Sequence, residues 1–248
     1  MLRSRAAKGF SRAAATVLDW LLPRQCLMCG GLSGPDNLCA PCRADLPRPG
    51  RSCERCGLPM KGDDGGVCGP CLGKAPLWDR VWPALTYEFP ADVLIHRFKF
   101  NRSLACGEVL SQELLRCVEQ GFSTGRCSRP GLIVPVPLHR SRLAQRTFNQ
   151  SWVLAQKLAA ETGIPLDHRL LYRVRKTSAQ SGLDARSRRR NTRGAFHCRP
   201  ERAAGIRHAA LVDDVMTTGA TLEACTRELK RVGIEEVSLW VAARAPAP

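Results

Sequence analysis

The chain has 248 residues, 44% of them hydrophobic, and a formal net charge of +16. This apolar content excludes a wholly disordered chain. The basic excess indicates an anionic partner: a phosphate-rich ligand, nucleic acid or an anionic lipid surface. The odd number of cysteines, thirteen, and the lack of a secretory signal pattern argue against a secreted disulfide scaffold and predict a cytoplasmic protein. Without an apolar run of about 18 residues, no membrane span is predicted.

The first segment, residues 1–23, has basic residues followed by apolar residues at helical spacing. The apolar residues fall on one face of a short amphipathic helix: Ala14, Val17, Leu18, Leu21 and Leu22. We expect this helix to pack against the module that follows it. A position on a membrane surface is the weaker alternative.

Residues 24–75 contain four cysteine pairs, each with two residues between its members. The pairs are Cys26/Cys29, Cys39/Cys42, Cys53/Cys56 and Cys68/Cys71. Two such pairs complete a tetrahedral four-cysteine zinc site with no open position, which is structural and not catalytic. Sequential pairing predicts two zinc ions, although interleaved pairing or one degenerate site stays open. Disulfides, redox pairs and an iron–sulfur cluster are alternatives, but four repeats of one spacing favour zinc.

From residue 76 onward, predicted strands alternate with predicted helices. The strands are 81–88, 132–136, 209–212 and 237–243, and the helices are 91–100, 104–120, 148–162 and 219–232. This alternation predicts an α/β fold with a mainly parallel sheet flanked by helices. The segment 170–208 lacks periodicity and is predicted to be a functional or mobile loop. The other five cysteines are predicted to be ordinary reduced thiols, mostly buried: Cys106, Cys117, Cys127, Cys198 and Cys225.

The segment 209–222 carries the clearest chemical pattern. A buried strand runs into two adjacent carboxylates, Asp213 and Asp214, and then into a Thr/Gly loop that opens a helix. Ligands of open α/β sheets bind at the carboxyl ends of the strands. Carboxylates accept hydrogen bonds from two vicinal hydroxyls, whereas a loop that opens a helix binds phosphate. A strand and helix with ordinary capping residues is the alternative, but the full pattern favours a ribose-phosphate site.

Residues 211–221 resemble the signature loop of type I phosphoribosyltransferases, which bind 5-phosphoribosyl 1-diphosphate (PRPP) with Mg²⁺. The resemblance implies that Asp213 and Asp214 are the catalytic residues and hold the ribose 2′- and 3′-hydroxyls. It also implies that the 5′-phosphate is wrapped by Thr217, Thr218, Gly219, Ala220 and Thr221.

Residues 95–100, 134–138, 142–150 and 175–196 resemble the ComF family, which includes the competence protein ComFC and the GntX-type proteins of Gram-negative bacteria. That family joins an N-terminal zinc ribbon to a phosphoribosyltransferase domain. The resemblance implies a double zinc ribbon at 24–75 and a phosphoribosyltransferase-like domain at 76–248, after the helix at 1–23. This chain has Thr147 where the family commonly has glycine, and a positive φ there would strain a β-branched residue.

As an enzyme of this kind, the chain would displace diphosphate from ribose C1. Arg142 and Arg146 are then expected to pair with diphosphate oxygens through their guanidinium groups. The main chain around 135–138 is expected to form the diphosphate loop. The Arg-rich stretch 173–193 is expected to close over the site as a lid.

Two functions follow from these patterns. The first is a phosphoribosyltransferase with an unknown acceptor, linked to DNA uptake in natural competence. The second is a non-catalytic protein that binds single-stranded DNA or serves as an adaptor in the DNA-uptake machinery. DNA binding would depend strongly on salt, and the aromatic content of 6% weakens base stacking. The intact diol and phosphate loop favours PRPP as a partner, with single-stranded DNA and uptake-machinery proteins as further candidates.

Overall fold

The computed structural model describes residues 24–60, 66–175, 192 and 194–246, and of Gln145 the main chain alone. The predicted helix at 1–23 and most of the predicted lid, 176–191 and 193, lie outside these residues. The chain divides into two compact units, Met1–Leu46 and Pro47–Pro248. Among the described helices, none has the length and apolarity needed to cross a membrane.

In the first unit, the described residues form a small cysteine-rich fold. Its turn after Cys26 is closed by hydrogen bonds from Cys26 N to Gly31 O at 2.7 Å and from Gly30 N to Cys26 O at 2.9 Å. Gly30 has φ +74°, a conformation that costs glycine little. Helix α1 (Ala40–Ala44) follows, with proline in its first turn, where no amide donor is needed.

The second unit is built on a parallel sheet. The strands of its described residues are β1 (Arg80–Thr86), β2 (Leu132–Pro135), β3 (Leu171–Arg173), β4 (Phe196–Cys198), β5 (His208–Met216) and β6 (Glu236–Arg244). Four of them form one sheet in the order β1-β6-β5-β2, and every pairing in it is parallel. The mainly parallel α/β sheet predicted from the sequence is therefore confirmed. Strand β6 lies between β1 and β5, and its Trp240 is level with Trp82 of β1 and Val212 of β5.

The described residues of this unit also form helices. They are α2 (Gly69–Gly73), α3 (Ala91–Phe100), α4 (Leu104–Ser123), α5 (Arg140–Arg146), α6 (Gln150–Thr162) and α7 (Ala220–Arg231). Side chains that accept main-chain N–H groups start three of them: Ser103 caps α4, His139 caps α5 and Asn149 caps α6. Helix α6 ends at Gly163, which has φ +71°. Helix α4 packs against α6, α3 and β1, so one core lies between these helices and the sheet. A second core includes Leu222, Cys225 and Leu229 of α7.

The prediction of a loop throughout 170–208 is wrong for part of the segment. Strands β3 and β4 pair antiparallel, and a 3₁₀ helix, Pro200–Arg202, follows them. Leu171, Phe196 and Cys198 are buried in the core. Strands of three residues are too short to give a visible alternation of polar and apolar residues.

Helix α6 buries one apolar face. Leu154, Ala155 and Leu158 of α6 are fully buried, whereas Trp152 is only half-buried and its ring lies 4.6 Å from that of His168. All thirteen cysteines are free thiols. Of the five outside the predicted zinc sites, only Cys117 is not fully buried. The prediction of mostly buried, reduced thiols is confirmed for these five.

Candidate functional site

The eight cysteines of residues 24–75 form two separate groups of four. The first group is Cys26, Cys29, Cys39 and Cys42, and the second is Cys53, Cys56, Cys68 and Cys71. In each group, all Sγ atoms lie within 4.8 Å of one another. This is the sequential pairing, with the first group in the first unit and the second group in the second unit.

The sulfur positions fit zinc. A tetrahedral zinc site with Zn–S bonds of about 2.3 Å has sulfur–sulfur edges of about 3.8 Å. The distance is 3.7 Å between the sulfur atoms of Cys29 and Cys39, and 3.6 Å between those of Cys56 and Cys68. The donor set is soft, closed and without an open position, so the groups suit two structural zinc ions.

In the second group, main-chain amides stabilise the thiolate form of Cys53. Burial raises the pKa of the Cys53 thiol, but hydrogen bonds from the N–H groups of Cys68, Cys56 and Arg55 outweigh it and lower the pKa to about 7. The amide of Cys68 donates to Cys53 Sγ at 3.3 Å. A thiolate is the form that binds zinc, so these amides favour the metal-binding form of Cys53, whereas burial and the neighbouring thiols raise the pKa of Cys56 to about 11.

A cleft of about 540 Å³ opens at the carboxyl ends of the parallel strands. It lies where ligands of open α/β sheets bind. The cleft brings together all but one of the predicted ribose, phosphate and diphosphate residues: Asp213, Asp214, Thr217, Gly219, Ala220, Thr221, Arg142 and Arg146. The exception is Thr218, whose hydroxyl accepts a hydrogen bond from Ala220 N at 3.4 Å.

The two carboxylates stand at the end of β5. Asp213 Oδ1 accepts hydrogen bonds from Ser151 Oγ and from Asp214 N, both at 2.9 Å. Asp214 Oδ1 accepts one from Val215 N at 2.6 Å. Burial and the adjacent charge of Asp214 raise the pKa of Asp213 to about 7. The pair therefore combines one carboxylate that is easily protonated with a second that has a cationic partner.

That cationic partner is Lys99, a residue to which the sequence assigned no role. Lys99 Nζ lies 3.0 Å from Asp214 Oδ1, with 18% of the lysine side chain and 11% of the aspartate side chain exposed. The lysine is on the last turn of α3, and its position lines the cleft. Its only signal in the sequence is the resemblance of residues 95–100 to the ComF family.

The loop after the carboxylates turns sharply into α7. Gly219 is the residue before the helix and has φ +76°, which suits glycine alone among common residues at this position. The loop places the first turn of α7 at the cleft. The dipole of a helix start favours a bound anion there.

Three arginine side chains line the same cleft. Arg142 and Arg146 lie on α5, and Arg173 ends β3. Burial, and then the positive charge of Arg142, lower the pKa of Arg173 to about 10. Burial and the charge of Arg146 likewise lower the pKa of Arg142. Mutual repulsion of this kind is relieved by a bound anion. Arg173 was predicted only as part of the lid, and the structure places it in the cleft wall.

The turn that follows α5 has the strained backbone predicted for Thr147. This threonine has φ +68° and ψ −27°. After the turn, Asn149 Nδ2 donates to Val136 O at 2.9 Å, and its side-chain oxygen caps α6. Asn149 thus ties the predicted diphosphate loop to the helix that carries Ser151.

Comparisons with known proteins agree with this arrangement. A family model for a double zinc ribbon domain matches residues 17–72, and one for a phosphoribosyl transferase domain matches residues 149–248. Competence protein F of Haemophilus influenzae is 34% identical over 224 residues, which cover 89% of this chain and 97% of that protein. DNA utilization protein YhgH of Escherichia coli (strain K12) is 36% identical over 208 residues, which cover 84% and 90%. Competence protein ComFC of Bacillus subtilis is 25% identical over 209 residues, which cover 82% and 81%.

The likeness to these relatives extends over both the cysteine-rich segment and the α/β segment. The parallel sheet, the paired carboxylates with their Thr/Gly loop and the two four-cysteine groups occur together in one chain. The chain therefore belongs to the ComF family, with an N-terminal double zinc ribbon followed by a phosphoribosyltransferase domain.

Proposed function

We propose that this protein binds PRPP with Mg²⁺ in the cleft at the ends of the parallel strands and transfers its phosphoribosyl group to an acceptor. The observation that carries the proposal is that the Asp213–Asp214 pair, four of the five residues of the loop 217–221 and three arginines line one cleft of about 540 Å³. Acceptors for a diol and two separate positive regions are what a sugar with phosphates at both ends requires.

In the proposed complex, Asp213 and Asp214 accept hydrogen bonds from the ribose 2′- and 3′-hydroxyls. The 5′-phosphate lies against the loop 217–221, where the start of α7 favours an anion. Ser151 and Lys99 hold the two carboxylates by contacts of 2.9 Å and 3.0 Å. The ribose is thereby fixed with its C1 toward the arginines.

The diphosphate lies between the main chain of 135–138 and the side chains of Arg142, Arg146 and Arg173. In the reaction, the bond from C1 to the diphosphate oxygen breaks with its electron pair leaving on diphosphate, and the acceptor nucleophile bonds to C1. The arginines stabilise the charge that develops on the leaving group. Mg²⁺, when bound, neutralises diphosphate oxygens through its preference for oxygen ligands.

A calorimetric titration of the zinc-loaded chain with PRPP and Mg²⁺ tests the proposal. The wild type should bind, and Asp213→Asn/Asp214→Asn should lose most of the affinity. Glu235→Gln is the matched control, because Glu235 is an exposed carboxylate just before the start of β6. It therefore lies at the end of the parallel strands opposite to the cleft. A folded wild-type chain that does not bind PRPP would overturn the proposal.

We further propose that the protein acts in the cytoplasm in the handling of incoming DNA. The names of its relatives, "Competence protein F" and "DNA utilization protein YhgH", support this role, and free thiols suit a reducing compartment. The second candidate function, a non-catalytic DNA-binding or adaptor protein, is favoured by the net charge of +16.

Fluorescence anisotropy with labelled single-stranded DNA at several salt concentrations tests this second candidate. Binding that weakens steeply with salt and that excess PRPP does not displace would support it. Binding that PRPP displaces would instead place the DNA phosphates in the cleft. The absence of binding at low salt would remove DNA as a direct ligand.

A further inference from the structure

The second cysteine group is joined to the loop 216–219 by two buried side chains. The first is Arg244, the last residue of β6, which is 6% exposed. Its Nε donates to Cys56 O at 2.7 Å. Its Nη1 donates to Met216 O at 3.0 Å and to Thr217 O at 2.6 Å. A single guanidinium group thus holds the cysteine turn at one end and the start of the phosphate loop at the other.

Burying the guanidinium group of Arg244 costs free energy, which a purely structural position would not require. The acceptors of its four hydrogen bonds, including Ala245 O at 2.5 Å, are all main-chain carbonyl oxygens. A buried cation without a carboxylate partner carries a desolvation cost that carbonyl groups offset only in part. The planar guanidinium group, however, can hold main-chain carbonyl groups from two segments of the chain in a fixed relative position.

The second joining side chain is Trp78, which is 5% exposed. Its Nε1 donates to Arg55 O at 2.5 Å, inside the turn between Cys53 and Cys56. The opposite end of its ring packs closely against Gly219. A Cβ atom added to Gly219 would lie only 2.8 Å from Trp78 Cη2. Trp78 therefore contacts the cysteine turn and the residue whose positive φ shapes the phosphate loop.

The carbonyl groups that these side chains bind, those of Arg55 and Cys56, lie within the metal-binding turn itself. That turn is closed by a hydrogen bond from Gly57 N to Cys53 O at 2.8 Å, and the sulfur atoms fit zinc. A metal that cross-links the turn to Cys68 and Cys71 fixes these carbonyl groups, and four unligated thiols do not.

We propose that Arg244 and Trp78 are positioning residues that transmit the shape of the second zinc turn to the phosphate loop, so that metal at Cys53, Cys56, Cys68 and Cys71 keeps residues 216–219 in their binding conformation. The coupling itself is a property of the chain. Its effect on affinity for a 5′-phosphate rests on the function proposed above.

Hydrogen exchange of the full chain tests the coupling without any substrate. In the wild type, removing metal with a chelator should speed exchange of the amides of 216–219 by about tenfold or more, because the loop opens more often once its carbonyl groups are no longer held. Strand β2, which pairs with β5 but makes none of the joining contacts, is the internal reference. Cys71→Ser should reproduce the change, since Cys71 makes none of the joining contacts. Cys42→Ser removes a ligand of the first group and is the matched control.

The variants Arg244→Met and Trp78→Phe separate positioning from general stability. With zinc content unchanged, the loop amides of each variant should already exchange fast. Metal removal should then increase their exchange rate much less than in the wild type. The effects of metal removal and of the substitution are expected not to add when the metal and the side chain act through the same contacts. Arg244→Lys should restore part of the protection. If Arg244→Met proves too unstable to purify, Trp78→Phe and chelation of the wild type give the same comparison.

Two outcomes would overturn the inference: loop exchange that ignores metal removal, or effects of metal and Arg244→Met that add independently. A parallel titration with PRPP and Mg²⁺ keeps the two proposals distinguishable. Coupled exchange without PRPP binding would sink the proposed function and leave the coupling. PRPP binding that is equal with and without zinc would leave the function and remove the effect of the coupling on affinity.

Discussion

Lys99 and Asp214 form an ion pair of 3.0 Å between the end of α3 and the end of β5. The lysine pairs with one of two carboxylates that would otherwise repel one another, and it also lowers the pKa of Asp213. Lys99 therefore sets how much negative charge the carboxylate pair carries before a ligand arrives.

Replacing Lys99 with methionine should raise the pKa of Asp213 above its value of about 7. The reason is that ionisation of Asp213 would then add a charge next to an uncompensated Asp214. Carboxyl ¹³C shifts followed by NMR across pH measure this directly. Lys99→Arg should keep the wild-type titration, and an unchanged titration in Lys99→Met would show that the lysine does not act on the pair.

Substituting Asp213 with asparagine should stabilise the fold in a pH-dependent way. Folding raises the pKa of Asp213 from 3.8 to about 7, so the folded chain holds this proton more tightly than the unfolded chain. The stabilising contribution of the proton is complete below about pH 4 and is lost as the pH rises through 7. The gain in Tm of Asp213→Asn should be largest above pH 7 and shrink as the pH falls.

Each unit of pKa corresponds to about 1.4 kcal/mol, and partial exposure of Asp213 reduces the effect to a few kcal/mol at most. Thermal unfolding in the presence of zinc at several pH values between 5.5 and 8.5 measures the trend. Glu235→Gln is the control for a general effect of charge removal. A Tm difference that does not vary with pH would contradict the assignment.

Thr147→Gly should stabilise the protein. The threonine has φ +68° at the end of α5, a conformation in which a β-branched residue is strained by about 1–2 kcal/mol. Thr124 ends α4 with φ −89°, so Thr124→Gly is a matched control that should destabilise by about 1 kcal/mol. Urea unfolding of both variants checks the opposite signs, and loss of stability in both would show that the turn is not strained.

Gly219→Ala should destabilise the chain more than Gly205→Ala. The two glycines have nearly equal φ values, +76° and +77°, but a Cβ at Gly219 would meet the Trp78 ring at 2.8 Å, and one at Gly205 meets nothing within 4 Å. Gly205→Ala measures the backbone cost, about 1 kcal/mol. The remainder in Gly219→Ala is the cost of moving Trp78, and PRPP titration should show weaker binding in that variant alone. Equal losses of stability would mean that the ring yields freely.

The regular elements could be predicted because local patterns define them. Helix α3 has the predicted bounds, 91–100, with Pro90 before it and Asn101 after it. Strand β5 was predicted to end at Val212 because the charges of Asp213 and Asp214 interrupt its apolar run. It continues to Met216 because its main chain still pairs with β6, Val215 opposite Ala243. Helix α5 was missed because its sequence, RSRLAQR, has too few apolar residues to show a period.

The residues of the candidate site also fall into those that a local pattern predicts and those that it does not. The cysteine spacing and the carboxylate loop are contiguous motifs, so their residues could be named from the sequence. The contacts of Lys99 with Asp214, of Ser151 with Asp213 and of Arg244 with Cys56 join segments far apart along the chain. No local pattern encodes such pairs, because they depend on how the helices and strands are placed in three dimensions.

The position of β6 between β1 and β5 also orders events during synthesis. A ribosome makes the two cysteine groups, then β1 with Lys99 soon after it, then β2 and β5. The strand that joins β1 to β5 comes after all of them. A nascent chain therefore exposes two unfinished sheet edges until residue 244 has emerged, and such edges invite pairing with other chains. The final strand brings the two walls of the cleft into one sheet and delivers Arg244 to the cysteine turn in the same step.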